Sequence, residues 1–174
     1  MTKKTYAQPM SDSEPGKKFR RNVCVVLTDE SRGRVLVFSR VDRVLGPHRW
    51  QFPQGGLNPG EEPRQGALRE LREEIGTAEV LLLGQAERRV RYEYPPQVAA
   101  QLAGRDRTKA GFAGQEQDWF LGRLLHGTAS INFRHQPAEF DGFRWATPAE
   151  AVELVVPFKK EAYREGLTLL RMLP

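Results

Sequence analysis

The chain has one cysteine among its 174 residues, Cys24. An internal disulfide is therefore impossible, and the residue sits inside an apolar run, where a small buried hydrophobe fits best. Such scarcity of cysteine is usual in a reducing compartment, so a cytoplasmic location is expected. Long apolar runs are also missing: nothing approaches the roughly 18 consecutive apolar residues of a membrane-spanning helix. The opening stretch MTKKTYAQPMSDSEPGKKFRR contains no apolar core of the kind a secretory signal needs. Histidine is sparse, and His48, His126 and His135 show no metal-ligand spacing. Internal repeats are absent.

Positive charge is what the chain has in excess. The formal net charge is +5. Up to Arg21 the basic residues Lys3, Lys4, Lys17, Lys18, Arg20 and Arg21 face only Asp12 and Glu14. Residues 1–18 are polar and aperiodic, and are expected to form a disordered basic leader before one domain over 19–174. A basic tail favours anionic partners through counterion release, or simply aids solubility.

Strand-like runs occur at 22–28 (NVCVVLT) and 34–40 (RVLVFSR), and DESRG between them reads as a hairpin turn. WQFP is a short extended piece. From 62 to 75 the period changes: Ala67, Leu68, Leu71 and Ile75 form one helical stripe, opened by Pro63 and closed by Gly76. A β region follows from Glu79 to Leu83, continuing through Arg88–Tyr94. Residues 95–114 are rich in Gly, Arg and Lys and read as a long irregular loop, the kind that tends to be functional or mobile. QDWFLGRLL (117–125) and GFRWA (142–146) read as strands. A short helix over 148–154 has Thr147 as N-cap, and a terminal helix over 158–172 turns Tyr163, Leu167 and Leu170 inward. The pattern predicts a mixed α/β fold.

One helix carries an electrostatic contradiction. Glu70, Glu73 and Glu74 stand at i, i+3 and i+4, on one side of the helix, opposite its apolar stripe. Like charges at these spacings each cost a few tenths of a kcal/mol. Arg69 and Arg72 offset part of that cost. A divalent cation offsets it more fully, because hard carboxylate oxygens suit Mg²⁺ or Mn²⁺ bound together with a substrate phosphate. A solvated acidic face is the alternative for RELREE alone. The spacing decides against it: Gly55, five residues, Glu61, seven residues, then Arg69-Glu70-Leu71-x-Glu73-Glu74-x-Gly76. Gly55 and Gly56, lacking Cβ atoms, let the backbone approach an ion or phosphate closely.

This pattern resembles the Nudix box, departing from it only at Thr77, where an aliphatic residue is typical. WQFPQGGLNPGE, GQEQDWFL, AEFDGFRW and VVPFKKEAY are similar to the subgroup of RNA pyrophosphohydrolases and diadenosine polyphosphate hydrolases. The likeness runs from about Arg20 to Tyr163 and is looser between Pro95 and Gly114. It implies an α-β-α sandwich with a mixed central sheet and a loop-helix-loop metal site. It further implies that Glu73, Glu74, Glu70 and the Gly55 carbonyl hold Mg²⁺ (or Mn²⁺), with Glu70 as ligand or base. Glu61 and Arg69 brace the loop against the helix. Glu139 joins the metal site or acts as base, with Asp141 in its place if that loop is shifted. Arg20, Arg40 and Lys159 meet phosphates, Phe158 stacks on a base or belongs to the core, and Tyr92 lines the same cleft.

The activity implied is metal-dependent removal of pyrophosphate, or stepwise phosphate, from 5′-triphosphate RNA ends. Hydrolysis of diadenosine polyphosphates or other nucleoside diphosphate-linked molecules is the alternative. A non-catalytic nucleotide- or RNA-binding regulator is a third reading, against which every box glutamate is present. An RNA 5′ end or a dinucleoside polyphosphate is thus the expected partner, with no membrane and a monomeric enzyme.

Overall fold

The computed structural model describes residues 16–105, 110–135 and 137–174. Most of the expected leader (1–15) and residues 106–109 of the Gly-, Arg- and Lys-rich 95–114 segment lie outside the described residues. Lys17 and Lys18 are already tied to the domain. The Lys17 ammonium lies 3.1 Å from Glu93, and the Lys18 carbonyl accepts the Ala113 N–H at 2.8 Å.

The central sheet is built on β1 (Phe19–Leu27) and β7 (Gly114–Leu124), which run parallel from Phe19↔Gly114 to Leu27↔Gly122. β4 (Gln54–Gly56) flanks β1 antiparallel, and β5 (Val80–Gln85) and β6 (Val90–Glu93) share the other side of β7 end to end. β3 (Trp50–Gln51), β2 (Val35–Arg40) and β8 (Phe140–Ala146) form a second, antiparallel sheet in that order. Strands buried on both faces read as continuous apolar runs, and β1 does. Its Val23, Val25 and Leu27 join Ala67, Leu71 and Ile75 of α1 (Pro63–Ile75). Its Cys24 and Val26 join Tyr163 and Leu167 of α4 (Lys160–Leu169) and Val152 of α3 (Pro148–Leu154). The layers are helix, sheet, helix.

Three expectations are corrected. The segment 95–114 is not irregular throughout, because α2 (Pro96–Arg105) occupies its first half. The Asp29–Arg34 turn is present, but β1 and β2 do not continue as a hairpin: a single bridge, Thr28↔Val35, joins them before they enter different sheets. Each strand needs two fully covered faces and finds its neighbours elsewhere. The terminal helix is shorter at both ends. A 3₁₀ turn covers Pro157–Lys159, and Leu170 ends α4 before Arg171 turns left-handed at φ 58°.

The punctuation of α1 and α3 is as expected. Gly76 closes α1 at φ 77°, and Thr147 and Glu150 form a reciprocal capping box on α3. Thr77 is buried, and its hydroxyl accepts the Glu79 N–H at 3.1 Å, so it packs without an orphaned polar group. Trp119 is wholly buried, edge-on to Phe52 and Tyr163. Cys24 is buried too, and burial pushes its thiol far above its ordinary range. Among the described residues no helix is long and apolar enough to cross a membrane.

Candidate active site

The Gly55–Gly56 pair is the end of β4, not loop, with Val23↔Gly55 and Asn22↔Gly56 in register on β1. This pairing sets β4 against α1, with Gly55 at Glu70 and Gln54 at Glu74. A Cβ on Gly55 would stand 2.0 Å from the Glu70 carboxyl carbon, and one on Gly56 would stand 2.2 Å from the Arg20 guanidinium. Each glycine is therefore the condition for a charged group to lie flat against the strand.

Arg69 organises the carboxylates around it. Its Nε and Nη2 donate to Glu61 at 2.7 and 2.8 Å, and Nη2 also donates to the Gly56 carbonyl at 2.8 Å. Its Nη1 donates to Glu70 at 2.6 Å and to Glu73 at 3.1 Å. Glu61 in turn accepts the Asn58 N–H at 2.9 Å, closing the loop onto the helix. The Arg69 hydrogen bond is the main force holding Glu61 below the usual carboxylate range, although burial opposes it. Like charges on one helix turn are thus neutralised by a planar fork that matches several oxygens at once.

Glu74 points inward. Its Oε2 accepts the Gln54 N–H at 3.0 Å, while its buried Oε1 has no partner among the described residues. Burial, then the negative charges of Glu139 and Glu70, push its carboxyl well above the ordinary range. Burial likewise raises Glu70, against the pull of Arg69. Glu139 comes from the segment leading into β8 and accepts from Arg40 Nη1 at 2.6 Å. Asp141, two residues further on and within β8, is exposed and does not line the cleft described next. The Lys159 ammonium lies 5.5 Å from the Tyr92 ring centroid. Burial and the neighbouring Arg40 charge lower its pKa to about 8.

These groups share one cleft of about 430 Å³. Its lining brings Gly55, Glu70, Glu74 and Glu139 together with Arg20, Arg40 and Lys159. Tyr92 and Phe158 form an aromatic side, their ring centroids 6.0 Å apart. Phe158 packs against the core and also lines the cleft. Glu61, Arg69 and Glu73 are not in the lining. Glu61 and Arg69 brace from behind, and Glu73 is over half exposed at the rim. Several lining residues had no local sequence signal: Asn22, Gln54 and Gln115 in the floor, and Val98 and Leu102 from α2. The α2 stripe at i, i+4 was the one clue available, masked by the glycines and arginines after it.

The donor set fits a hard divalent cation. Glu74 offers a buried carboxylate oxygen without a partner, Glu70 lies in the groove that Gly55 leaves open, and every candidate ligand is oxygen. Among the described residues no three acidic, imidazole or thiol groups converge as a finished cage, and Arg69 holds both Glu70 and Glu73. The NUDIX domain model matches residues 18–166.

The chain belongs to the Nudix family.

This Nudix chain is 39% identical over 153 residues to an RNA pyrophosphohydrolase of Rhodospirillum rubrum, covering 88% of this chain and 87% of that protein. It is 40% identical over 167 residues to an RNA pyrophosphohydrolase of Novosphingobium aromaticivorans, covering 94% and 99%. The E. coli dihydroneopterin triphosphate pyrophosphohydrolase superposes with a TM-score of 0.59 at 21% identity, over 86% of this chain and 97% of that one. That likeness shows a shared fold. Nudix hydrolases generally need a divalent metal ion.

Proposed function

We propose that this Nudix hydrolase of phosphoric anhydrides removes pyrophosphate, or successive phosphates, from 5′-triphosphate RNA ends, as a cytoplasmic monomer using Mg²⁺ (or Mn²⁺). The observation that carries the reading is the cleft that Glu70, Glu74 and Glu139 line together with Arg20, Arg40 and Lys159. Carboxylates able to hold a cation beside basic side chains suit a polyphosphate, whose charge both neutralise. Relatives at about 40% identity over nearly the whole chain, named RNA pyrophosphohydrolases, support the same substrate.

In this reading Glu73, Glu74, Glu70 and the Gly55 carbonyl hold the cation, and Glu61 with Arg69 fixes the strand and helix that present them. Glu73 joins by leaving Arg69. A divalent ion held by these residues would supply charge neutralisation for phosphate oxygens and would make a nearby water easier to deprotonate. Arg20, Arg40 and Lys159 bind the remaining oxygens and align the chain of phosphates, which supplies most of the rate in phosphoryl transfer. Glu139, paired with Arg40 and lining the same cleft as Glu74, takes the proton of the attacking water or completes the ligand set. Phe158 and Tyr92 hold a base, stacking being worth about 1–3 kcal/mol.

A diadenosine polyphosphate remains the second reading, because the aromatic side, extended by Val98 and Leu102, has room to hold a nucleoside on a free dinucleotide as well. The test is release of phosphate or pyrophosphate across triphosphate RNA and free nucleotides with Mg²⁺ or Mn²⁺. Glu73→Gln is expected to abolish turnover and leave the melting curve nearly unchanged, since an exposed side chain carries little stability. Near-normal turnover by that variant would remove Glu73 from the machinery.

A further inference from the structure

The floor of the cleft contains an amide whose orientation is dictated from the core. The Trp119 indole N–H can only donate, and it donates to Gln117 Oε1 at 3.1 Å. That contact settles which end of the Gln117 carboxamide is which. Its Nε2 must face the other way, where it donates to Gln54 Oε1 at 2.9 Å and to Gln115 Oε1 at 3.2 Å. Gln54 therefore has its oxygen consumed and its NH₂ left over. This NH₂ is buried and has no acceptor among the described residues, and Gln54 is one of the residues that line the cleft. Both glutamines are more than nine-tenths buried, Gln117 at 1% and Gln54 at 9% exposure.

An unpaired buried donor costs about 1–3 kcal/mol of desolvation, so its retention in a well-packed floor calls for an acceptor that arrives with the ligand. The location names that acceptor. Gln54 precedes Gly55, and its own N–H holds Glu74. We propose that Trp119 and Gln117 form a positioning relay that locks the Gln54 carboxamide with its NH₂ toward the cleft, where it donates to a phosphoryl oxygen of the substrate. Gln54 is then a substrate-binding residue, and Gln117 and Trp119 act through it. The substrate class rests on the pyrophosphohydrolase reading above, but the relay requires only an anionic polyphosphate.

Substitutions at Gln117 separate orientation from mere support. Gln117→Glu presents acceptors on both sides, so Gln54 must turn its NH₂ inward to meet one and its oxygen toward the phosphate. Gln117→Met keeps the volume and removes the relay without forcing the reversal. The readouts are kcat/KM on whichever anhydride the wild type cleaves fastest and Kd for a methylene-bridged nucleoside triphosphate. Gln54→Leu is expected to weaken both by about 10- to 100-fold, the range for a hydrogen bond to a charged group. Gln117→Glu is expected to lose at least as much, and Gln117→Met less. In a Gln54→Leu background, either Gln117 change should cost almost nothing more, because the group it positions is gone. If the Gln117 losses persist in full on that background, or if Gln54→Leu keeps wild-type Kd and kcat/KM, the relay is wrong. Wild-type failure on triphosphate RNA with turnover of another polyphosphate would overturn the substrate reading alone. Should Gln117→Glu not fold, Gln117→Met and Trp119→Phe carry the same cycle.

Discussion

Replacing Gly55 by alanine tests how closely the strand must approach the carboxylates. The new Cβ would stand 2.0 Å from the Glu70 carboxyl carbon and 2.1 and 2.2 Å from its two oxygens. Ordinary contact begins near 3.4 Å, so the carboxylate must retreat by more than 1 Å. It cannot swing freely, because Arg69 holds it at 2.6 Å. A displacement of about 1 Å in a catalytic group costs on the order of 10²-fold in rate. Stability should change little: alanine's smaller unfolded-state entropy gains about 0.4–1 kcal/mol, offsetting a weakened ion pair of about 1 kcal/mol. We expect Gly55→Ala to keep its melting temperature within about 4 °C while kcat on triphosphate RNA falls about 10²-fold. Gly56→Ala is the internal control, since its Cβ meets Arg20 instead. It should raise KM about 10-fold with a smaller effect on kcat, as expected for a charged phosphate contact. A folded Gly55→Ala protein with kcat within about threefold of wild type would show that Glu70 does not act from its place beside β4.

Two further predictions concern protons. Lys159, with its pKa lowered to about 8, loses its charge as pH rises through that value, so kcat/KM should fall there. Lys159→Arg should remove that limb of the profile, and a profile unchanged by the substitution would free Lys159 of the role. Glu74 has the opposite linkage to a salt-bridged carboxylate. Its folded pKa is raised, so the native state binds more protons than the unfolded one, and stability falls as pH rises from the usual carboxylate range through the folded value. Glu74→Gln, melted without metal, should therefore gain stability relative to wild type at pH 8 and not at pH 4, while losing turnover; equal shifts at both pH values would contradict this.

Much of this molecule is legible along the chain because its signals are local. The stripe of α1, Pro63 before it and Gly76 after it, and the Thr147–Glu150 box all act within a few residues. The box spacing marks one wall of the cleft for the same reason, since a strand end and one helix carry all of it. What could not be read depends on register across distance. Asn22, Gln115 and Gln117 meet only because β1 and β7, some 95 residues apart, run parallel with Asn22 opposite Gln117. The split of β1 and β2 into two sheets was invisible for a similar reason: a turn reports where the chain reverses, not which neighbours the strands take. α2 was hidden by composition, although Val98 and Leu102 carry its inward face.

The central claim, that the polyphosphate cleaved here belongs to RNA, is tested most directly by competition. A triphosphate-ended oligonucleotide and diadenosine tetraphosphate would be offered together with Mg²⁺, and kcat/KM read for each. The account predicts that the oligonucleotide is preferred and is recovered as a 5′-monophosphate. Preference for diadenosine tetraphosphate, with the RNA end left intact, would contradict it.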